Sequence, residues 1–380
     1  MTDFNLPDEG IFIGRIWSPE VQGPSVVTLR DGKIVDITSK AAPTVRDICE
    51  MDDPAAYVRG ADGVTVGDLA SLAANSGDMA KPHFLAPCDL QAVKACGVTF
   101  ASSMVERVIE EKAAGDPKKA QDIRARVGDI IGGSLRNIKA GSEEAARVKS
   151  ALIAEGMWSQ YLEVGIGPDA EVFTKGQVLS SVGPGAEVGL HPVSKWNNPE
   201  PEIVLAVSSK GRIVGASLGN DVNLRDVEGR SALLLGKAKD NNASCAIGPM
   251  IRLFHDAFTL DNVRRAELDL TVKGEDGYVL KGHSSMKEIS RDPADLVGQT
   301  LGRHHQYPDG LMLFLGTLFA PTQDRDTPGE GFTHKIGDVV TISSPGLGSL
   351  TNTVRLSTQC PEWTFGVASF MRNLAARNLI

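Results

Sequence analysis

The sequence predicts an α+β protein: a small N-terminal unit over residues 1–85, then a larger unit over residues 86–380 built on a mostly antiparallel sheet, rolled or sandwiched. Three observations predict it. Gly10–Val35 reads as short strands separated by turn residues. Val105–Ala154 carries helical periodicity without strand-like alternation, and so forms an insertion at about 105–155. From Val164 to Val354 short β-rich runs alternate with Gly, Pro and Asn turns.

The elements follow in order. Gln22–Pro24 and Arg30–Gly32 punctuate the first strands, Thr44–Cys49 and Val66–Ala74 pattern as short helices, and Pro82–Pro87 reads as a connector. In the helical stretch, Ala114–Asp116 and Gly132–Ser134 are breaks. After them Glu143–Glu155 forms an amphipathic helix with apolar Ala145, Ala146, Val148, Ala151, Leu152 and Ile153. The later strands are Ile203–Val207, Ile213–Leu218, Ala266–Val272, Leu311–Phe314 and Val339–Ile342, and Arg372–Leu379 closes the chain as a helix.

Composition narrows the class. The chain has 380 residues, 42% hydrophobic and 23% charged, enough to bury a core without staples. A net charge of −9 without a basic stripe argues against a nucleic-acid partner. The most apolar run, Leu311–Pro321, is far short of the roughly 20 residues of a membrane span. Met1–Gly10 is acidic and lacks the apolar core of a signal peptide, so a cytoplasmic location is expected. Cys49, Cys88, Cys96, Cys245 and Cys360 form no C-x-x-C pair, which suits reduced packing thiols. Dinucleotide and phosphate-loop glycine spacings, H-E-x-x-H and G-x-S-x-G are all missing. His304 and His305 are adjacent, so on a strand they would face opposite ways and could not easily share an ion.

The informative segment runs from Trp196 to Asp221. Glu200 and Glu202 stand two apart and share one face of a strand. Ser208–Gly211 reads as a hairpin turn; pairing Val207 with Arg212 sets Glu202 against Ser217 and Asn198 against Asp221, and gathers Glu200, Glu202 and Asp221 on one face. Three carboxylates on a partly buried face repel unless a cation neutralises them. All-oxygen ligation favours magnesium, manganese or calcium, and three protein ligands leave positions for water and a chelating substrate. A solvated acidic hairpin face is the alternative that spacing alone leaves open.

Glu200-Pro-Glu202 followed by Asn220-Asp221-Val-Asn-Leu-Arg225-Asp226 resembles the metal signature of the fumarylacetoacetate hydrolase superfamily, E-x-E and then N-D-x-x-x-R-D. The resemblance covers roughly residues 90–360. Gly97–Glu106 is similar to that family's lid motif, Phe173-Thr-Lys175-Gly to its F-x-K-P, and Gly316-Thr317 to its G-T-P. Gly337-Asp338-Val-Val with Gly348–Asn352 is similar to its C-terminal ending. The lid histidine of the hydrolases is replaced by Ser103, while Glu106 remains; serine is no neutral-pH base. Trp196–Glu202, Gly236–Cys245, Gln306–Gly310 and Gln323–Lys335 resemble the branch of 2-keto-3-deoxy-pentonate dehydratases.

The resemblance implies a mixed β-roll catalytic region and a homo-oligomer, dimer or tetramer. It implies a metal-dependent hydro-lyase turning a small 2-keto acid, 2-keto-3-deoxy-D-pentonate, into 2,5-dioxopentanoate without an organic cofactor. An acylpyruvate hydrolase or decarboxylase of the same superfamily is the alternative. The expected site has Glu200, Glu202 and Asp221 on the metal, and Glu106 and Lys239 moving protons. Ser103, Thr317 and Lys175 would bind substrate, and Arg225 would support Asp221 or Asp226 from behind. Lys239 is open to two roles, a proton carrier of lowered pKa or a fixed cation.

Overall fold

The structure, a computed structural model, describes residues 4–120, 122–123, 138–154, 156, 158–318, 321–327 and 331–380. Two β-sheets with peripheral helices confirm the α+β class. The larger, eleven-stranded sheet runs from edge to edge as Val64–Asp68, Lys33–Asp36, Gly23–Arg30, Phe12–Ser18, Cys245–Leu253, Ile213–Asp221, Pro201–Val207, Leu311–Phe314, Ala92–Gly97 and Glu171–Gly176. His83–Leu85 pairs beside it on Phe12–Ser18. The smaller sheet is Val279–Ser285, Glu267–Lys273, Val339–Ser344, Gly348–Leu356 and Glu187–Leu190. Leu311–Phe314 with Ala92–Gly97, and Gly348–Leu356 with Glu187–Leu190, are parallel pairs, so both sheets are mixed.

The larger sheet crosses the boundary expected at residue 85. Phe12–Ser18 is hydrogen-bonded to Cys245–Leu253, with Phe12 opposite Arg252. Ile13, Val26, Val45 and Ile48 share one apolar cluster with Val204, Ile247 and Phe314, so the first 85 residues have no core of their own on that face. The helix at Thr44–Cys49 forms as Val45–Glu50 because Thr44 and Asp47 make a reciprocal capping box. Val66–Ala74 divides instead: Val64–Asp68 is a strand, and Asp68 caps the helix Leu69–Ala74. The connector at Pro82–Pro87 holds a three-residue strand, and the closing helix is Val367–Ala376 rather than Arg372–Leu379. The break at 114–116 stands, with Ala114 left-handed at the C-terminus of Ala101–Ala113; Gly132–Ser134 lies outside the described residues.

The hairpin around the two glutamates forms with its register moved by two. Val207 pairs with Ile213 instead of Arg212, and a bulge between Ile213 and Gly215 adds a second residue, so Gly219, not Ser217, stands opposite Glu202, and Asn223, not Asp221, opposite Asn198. An even shift leaves every side chain on its expected face. Glu200 now stands across from Asp221, whose N–H donates to the Glu200 carbonyl at 3.1 Å. The same face continues inward as Val204, Ala206, Ile247, Met312 and Phe314, all buried. Gly219 makes room there, since a Cβ would lie 2.2 Å from Phe314 Cε1. The carboxylates therefore occupy the polar end of an otherwise apolar face, and cannot swing into water.

Two further pieces cover that end. Ala101–Ala113 buries Ser103, Met104, Arg107, Val108, Ile109 and Glu110, and packs Met104 and Val108 against Tyr161, Leu162 and Ile166. Residues 321–327 and 331–335 cover it from the other side. Among them Arg325 grips Asp338 through two hydrogen bonds, 2.6 and 2.8 Å, and reaches Asp276 at 3.2 Å. Burial pushes the Asp338 carboxyl up, but His334 and Arg325 outweigh it and bring the pKa to about 2. This piece is joined to the segment before Glu200: Asn197 N–H donates to Thr333 Oγ1 at 3.2 Å, and His334 N–H to Asn197 Oδ1 at 3.3 Å. Arg325→Met is expected to cost about 3 kcal/mol of unfolding free energy, because it takes two charged hydrogen bonds from the buried Asp338 carboxylate and leaves it His334 and the Lys335 N–H. A urea midpoint unchanged from wild type would refute this.

Candidate active site

Glu200, Glu202 and Asp221 are all buried, and one oxygen from each lies within 4.8 Å of the other two. Each carboxylate has one oxygen fixed from outside. Arg107 Nη2 donates to Glu200 Oε1. The Gly316 N–H donates to Glu202 Oε2 at 2.8 Å. Lys175 Nζ meets Asp221 Oδ1 at 2.8 Å. Gly316 can aim its amide there because its φ is +97°, and a Cβ would sit 2.1 Å from Thr99 Oγ1. Lys239 Nζ bridges the other oxygens of Glu200 and Asp221, at 2.5 and 3.1 Å.

The electrostatics follow from this packing. Burial, then Asp221 and Glu200, push the Glu202 carboxyl well above the usual carboxylate range. Glu202 has no lysine or arginine partner among the described ion pairs, so it is the member most in need of a cation. Burial also raises Glu200, against Lys239 and Arg107. Burial opposes ionisation of Asp221 too, but Lys175 and Lys239 outweigh it and the net shift is downward. Burial works against the Lys239 ammonium, yet Asp221, Glu200 and Glu228 prevail and hold it charged. Of its two expected roles, the fixed cation is the one this environment favours.

The cleft beside the trio is lined by Cys96, Gly97, Val98, Ser103, Arg107, Glu171, Phe173, Glu228, Lys239 and Thr317 together with the three carboxylates, and its free volume of about 10 Å³ admits about one water molecule. Ser103 Oγ donates to the Thr317 carbonyl at 2.8 Å, fastening Ala101–Ala113 to the wall that carries Gly316. Lys175 is fully buried, and its ammonium also reaches the carbonyls of Val222 (3.3 Å) and Lys239. It braces Asp221 and does not line the cleft. The bulge between Val93 and Lys94 is what frees Lys175 from the ladder and turns it inward.

Two expected positions differ. Glu106 lies outside the cleft lining and accepts from Arg225 Nη2 at 3.1 Å. Arg225 supports the covering helix instead of Asp221 or Asp226: it donates to Glu110 at 2.7 Å and to the Pro321 carbonyl at 3.0 Å, and stacks 4.3 Å from the centroid of Trp196. Asp226 is taken by Ser194 Oγ (2.7 Å) and Lys195 N–H (2.8 Å).

Sequence reasoning missed Arg107, Glu171 and Glu228. Arg107 is buried among Glu110 (2.5 Å), Glu228 (3.1 Å) and Glu200. Glu171 is pushed up to about 7 by burial and by Glu228, against the pull of Arg107 and Lys239. It stands two residues before Phe173 and four before Lys175, so the alternation that found Glu200 and Glu202 could also have found it. A partly protonated carboxyl, a fixed ammonium and a cation-demanding trio around one small cleft can hold an anionic, chelating ligand and move a proton on it.

The chain is similar to several known proteins. The model of the family described as Fumarylacetoacetate (FAA) hydrolase C-terminal matches residues 143–355. A Haloferax volcanii protein named "Probable 2-keto-3-deoxyxylonate dehydratase" is 29% identical over 76% of this chain and 92% of its own length. A 2-dehydro-3-deoxy-D-arabinonate dehydratase of Saccharolobus solfataricus is 30% identical over 49% of this chain and 58% of its own. A solved 2-keto-3-deoxy-D-arabinonate dehydratase, complexed with magnesium and 2,5-dioxopentanoate, superposes with a TM-score of 0.62 at 21% identity, covering 91% of this chain and 99% of the other. No helix among the described residues is long and apolar enough to cross a membrane.

Proposed function

The chain belongs to the fumarylacetoacetate hydrolase family, and from that premise we propose that it dehydrates a 2-keto-3-deoxy-D-pentonate to 2,5-dioxopentanoate at one divalent cation on Glu200, Glu202 and Asp221. The observation that carries this reading is the buried trio with one oxygen of each carboxylate fixed from outside, Lys239 bridging the second oxygens of Glu200 and Asp221, beside a cleft that Glu171 also lines. Relatives named as dehydratases of this substrate class support the same reaction.

The trio fits a hard ion because it offers only oxygens and Glu202 has no cationic partner among the described residues. Magnesium is the ion we favour; when bound on Glu200, Glu202 and Asp221, it would supply the positive charge that draws electrons off the keto acid's carbonyl. Glu171 takes the C3 proton, and a carboxyl titrating at about 7 serves equally as base and then as acid. It returns that proton to the departing 4-hydroxyl, so the C3–H and C4–O bonds break and one water leaves. Loss of a C5 proton with protonation at C3 then turns the 3,4-alkene into a 4,5-enol, which becomes the 5-aldehyde by gaining a proton at C4 as its hydroxyl loses one. Lys239 stays charged and holds the negative charge that develops on the oxygens. Ser103 and Thr317 set the wall against which the chain of the substrate lies, and Glu106 acts through Arg225 on the covering helix.

The test is direct. The purified chain, given 2-keto-3-deoxy-D-pentonate and magnesium, should form an aldehyde that a coupled aldehyde dehydrogenase oxidises, and EDTA should stop it. Cleavage of an acylpyruvate in a parallel reaction, without aldehyde from the pentonate, would overturn the dehydratase and leave the hydrolase alternative.

A further inference from the structure

We propose that Arg107 makes this centre discriminate between divalent cations, favouring a small octahedral ion over calcium. The inference rests on Glu200, Glu202 and Asp221 being the ligands. All three have their outer oxygen engaged: Glu200 by Arg107, Glu202 by Gly316 N–H and Asp221 by Lys175. Each can then offer one inward oxygen, those of Glu200 and Asp221 through the lone pairs that Lys239 leaves open. Three single oxygens plus water and a chelating substrate suit six-coordinate magnesium or manganese. Calcium takes up to eight oxygens and commonly recruits both oxygens of a carboxylate, which here requires a cap to let go.

The caps are not equivalent. The Gly316 amide is fixed by backbone geometry, and Lys175 is fully buried with two carbonyls besides Asp221. Arg107 comes from the separate covering helix, Ala101–Ala113, and shares its fork among Glu200, Glu110 and Glu228. It alone both closes Glu200 to two-oxygen ligation and ties the trio to that helix. Arg107 is thus a positioning residue for Glu200, and its removal frees a second oxygen without altering any ligand.

Calorimetric titration of the full chain with magnesium chloride and with calcium chloride, without substrate, tests this. Arg107→Met should shift the ratio of the two dissociation constants toward calcium by about tenfold or more, as removal of a group orienting a ligand does. Arg107→Lys keeps one donor and should hold the ratio near wild type. If Arg107→Met fails to fold because Glu228 is left unpaired, Arg107→Met with Glu228→Gln removes that charge and should show the same shift. An unchanged ratio in the folded variants, with both ions still binding, overturns the role of Arg107 but not the metal site. A wild-type chain that binds neither ion overturns both.

Discussion

Asp221→Asn should lower kcat by about a thousandfold or more while the chain stays folded. The residue sits opposite Glu200 in the ladder, with Lys175 on one oxygen and Lys239 on the other. The amide oxygen can still accept from Lys175, so the change is nearly isosteric and the surrounding strands keep their pairing. What disappears is one of three negative charges that a divalent cation needs, together with a charged ligand atom. Loss of metal-borne stabilisation is of the order of several kcal/mol, and about 1.4 kcal/mol corresponds to each factor of ten. Metal affinity measured by calorimetry should fall in parallel. Retained turnover with unchanged affinity would remove Asp221 from the ligand set.

Glu171→Gln should be the second largest loss, about a hundredfold to ten-thousandfold in kcat with a much smaller change in KM, the usual span for a positioned acid or base. The pH profile makes the assignment specific. A base whose pKa is raised is protonated below that value, so activity should climb with pH along a limb with its midpoint at about 7, or lower where a bound cation pulls the pKa down. Glu171→Gln should erase that limb. Glu106→Gln should keep it, since Glu106 acts through Arg225. If the limb vanishes with Glu106→Gln and survives in Glu171→Gln, the proton carrier is on the covering helix after all.

The contrast between these two glutamates shows what could be read from sequence. Strand alternation located the trio correctly although the register moved by two, because only an odd shift changes faces. The helix was read by motif position instead of period. Ser103 and Arg107 are four apart and both line the cleft, whereas Glu106 lies one position off that line. Lys175 was legible as important but not as a brace, because its direction depends on a bulge that no local pattern announces. The N-terminal strands were found individually, yet their partner, Cys245–Leu253, is set by long-range pairing that local periodicity does not encode.

That last pairing also sets the order of assembly. Phe12 and Arg252 face each other across 240 residues of chain. At a synthesis rate of ~5–20 residues per second, the first strands wait roughly 12–48 s for the strand that completes their sheet. Meanwhile Phe12 and Ile13 present unpaired N–H and C=O groups beyond the stretch that His83–Leu85 covers, an edge that another nascent chain can capture. A fragment starting after residue 85 reverses the exposure: Cys245–Leu253 becomes the open edge, one strand away from Asp221. Chaperone dependence during synthesis and aggregation of such fragments are the costs of building the catalytic sheet from both ends of the chain.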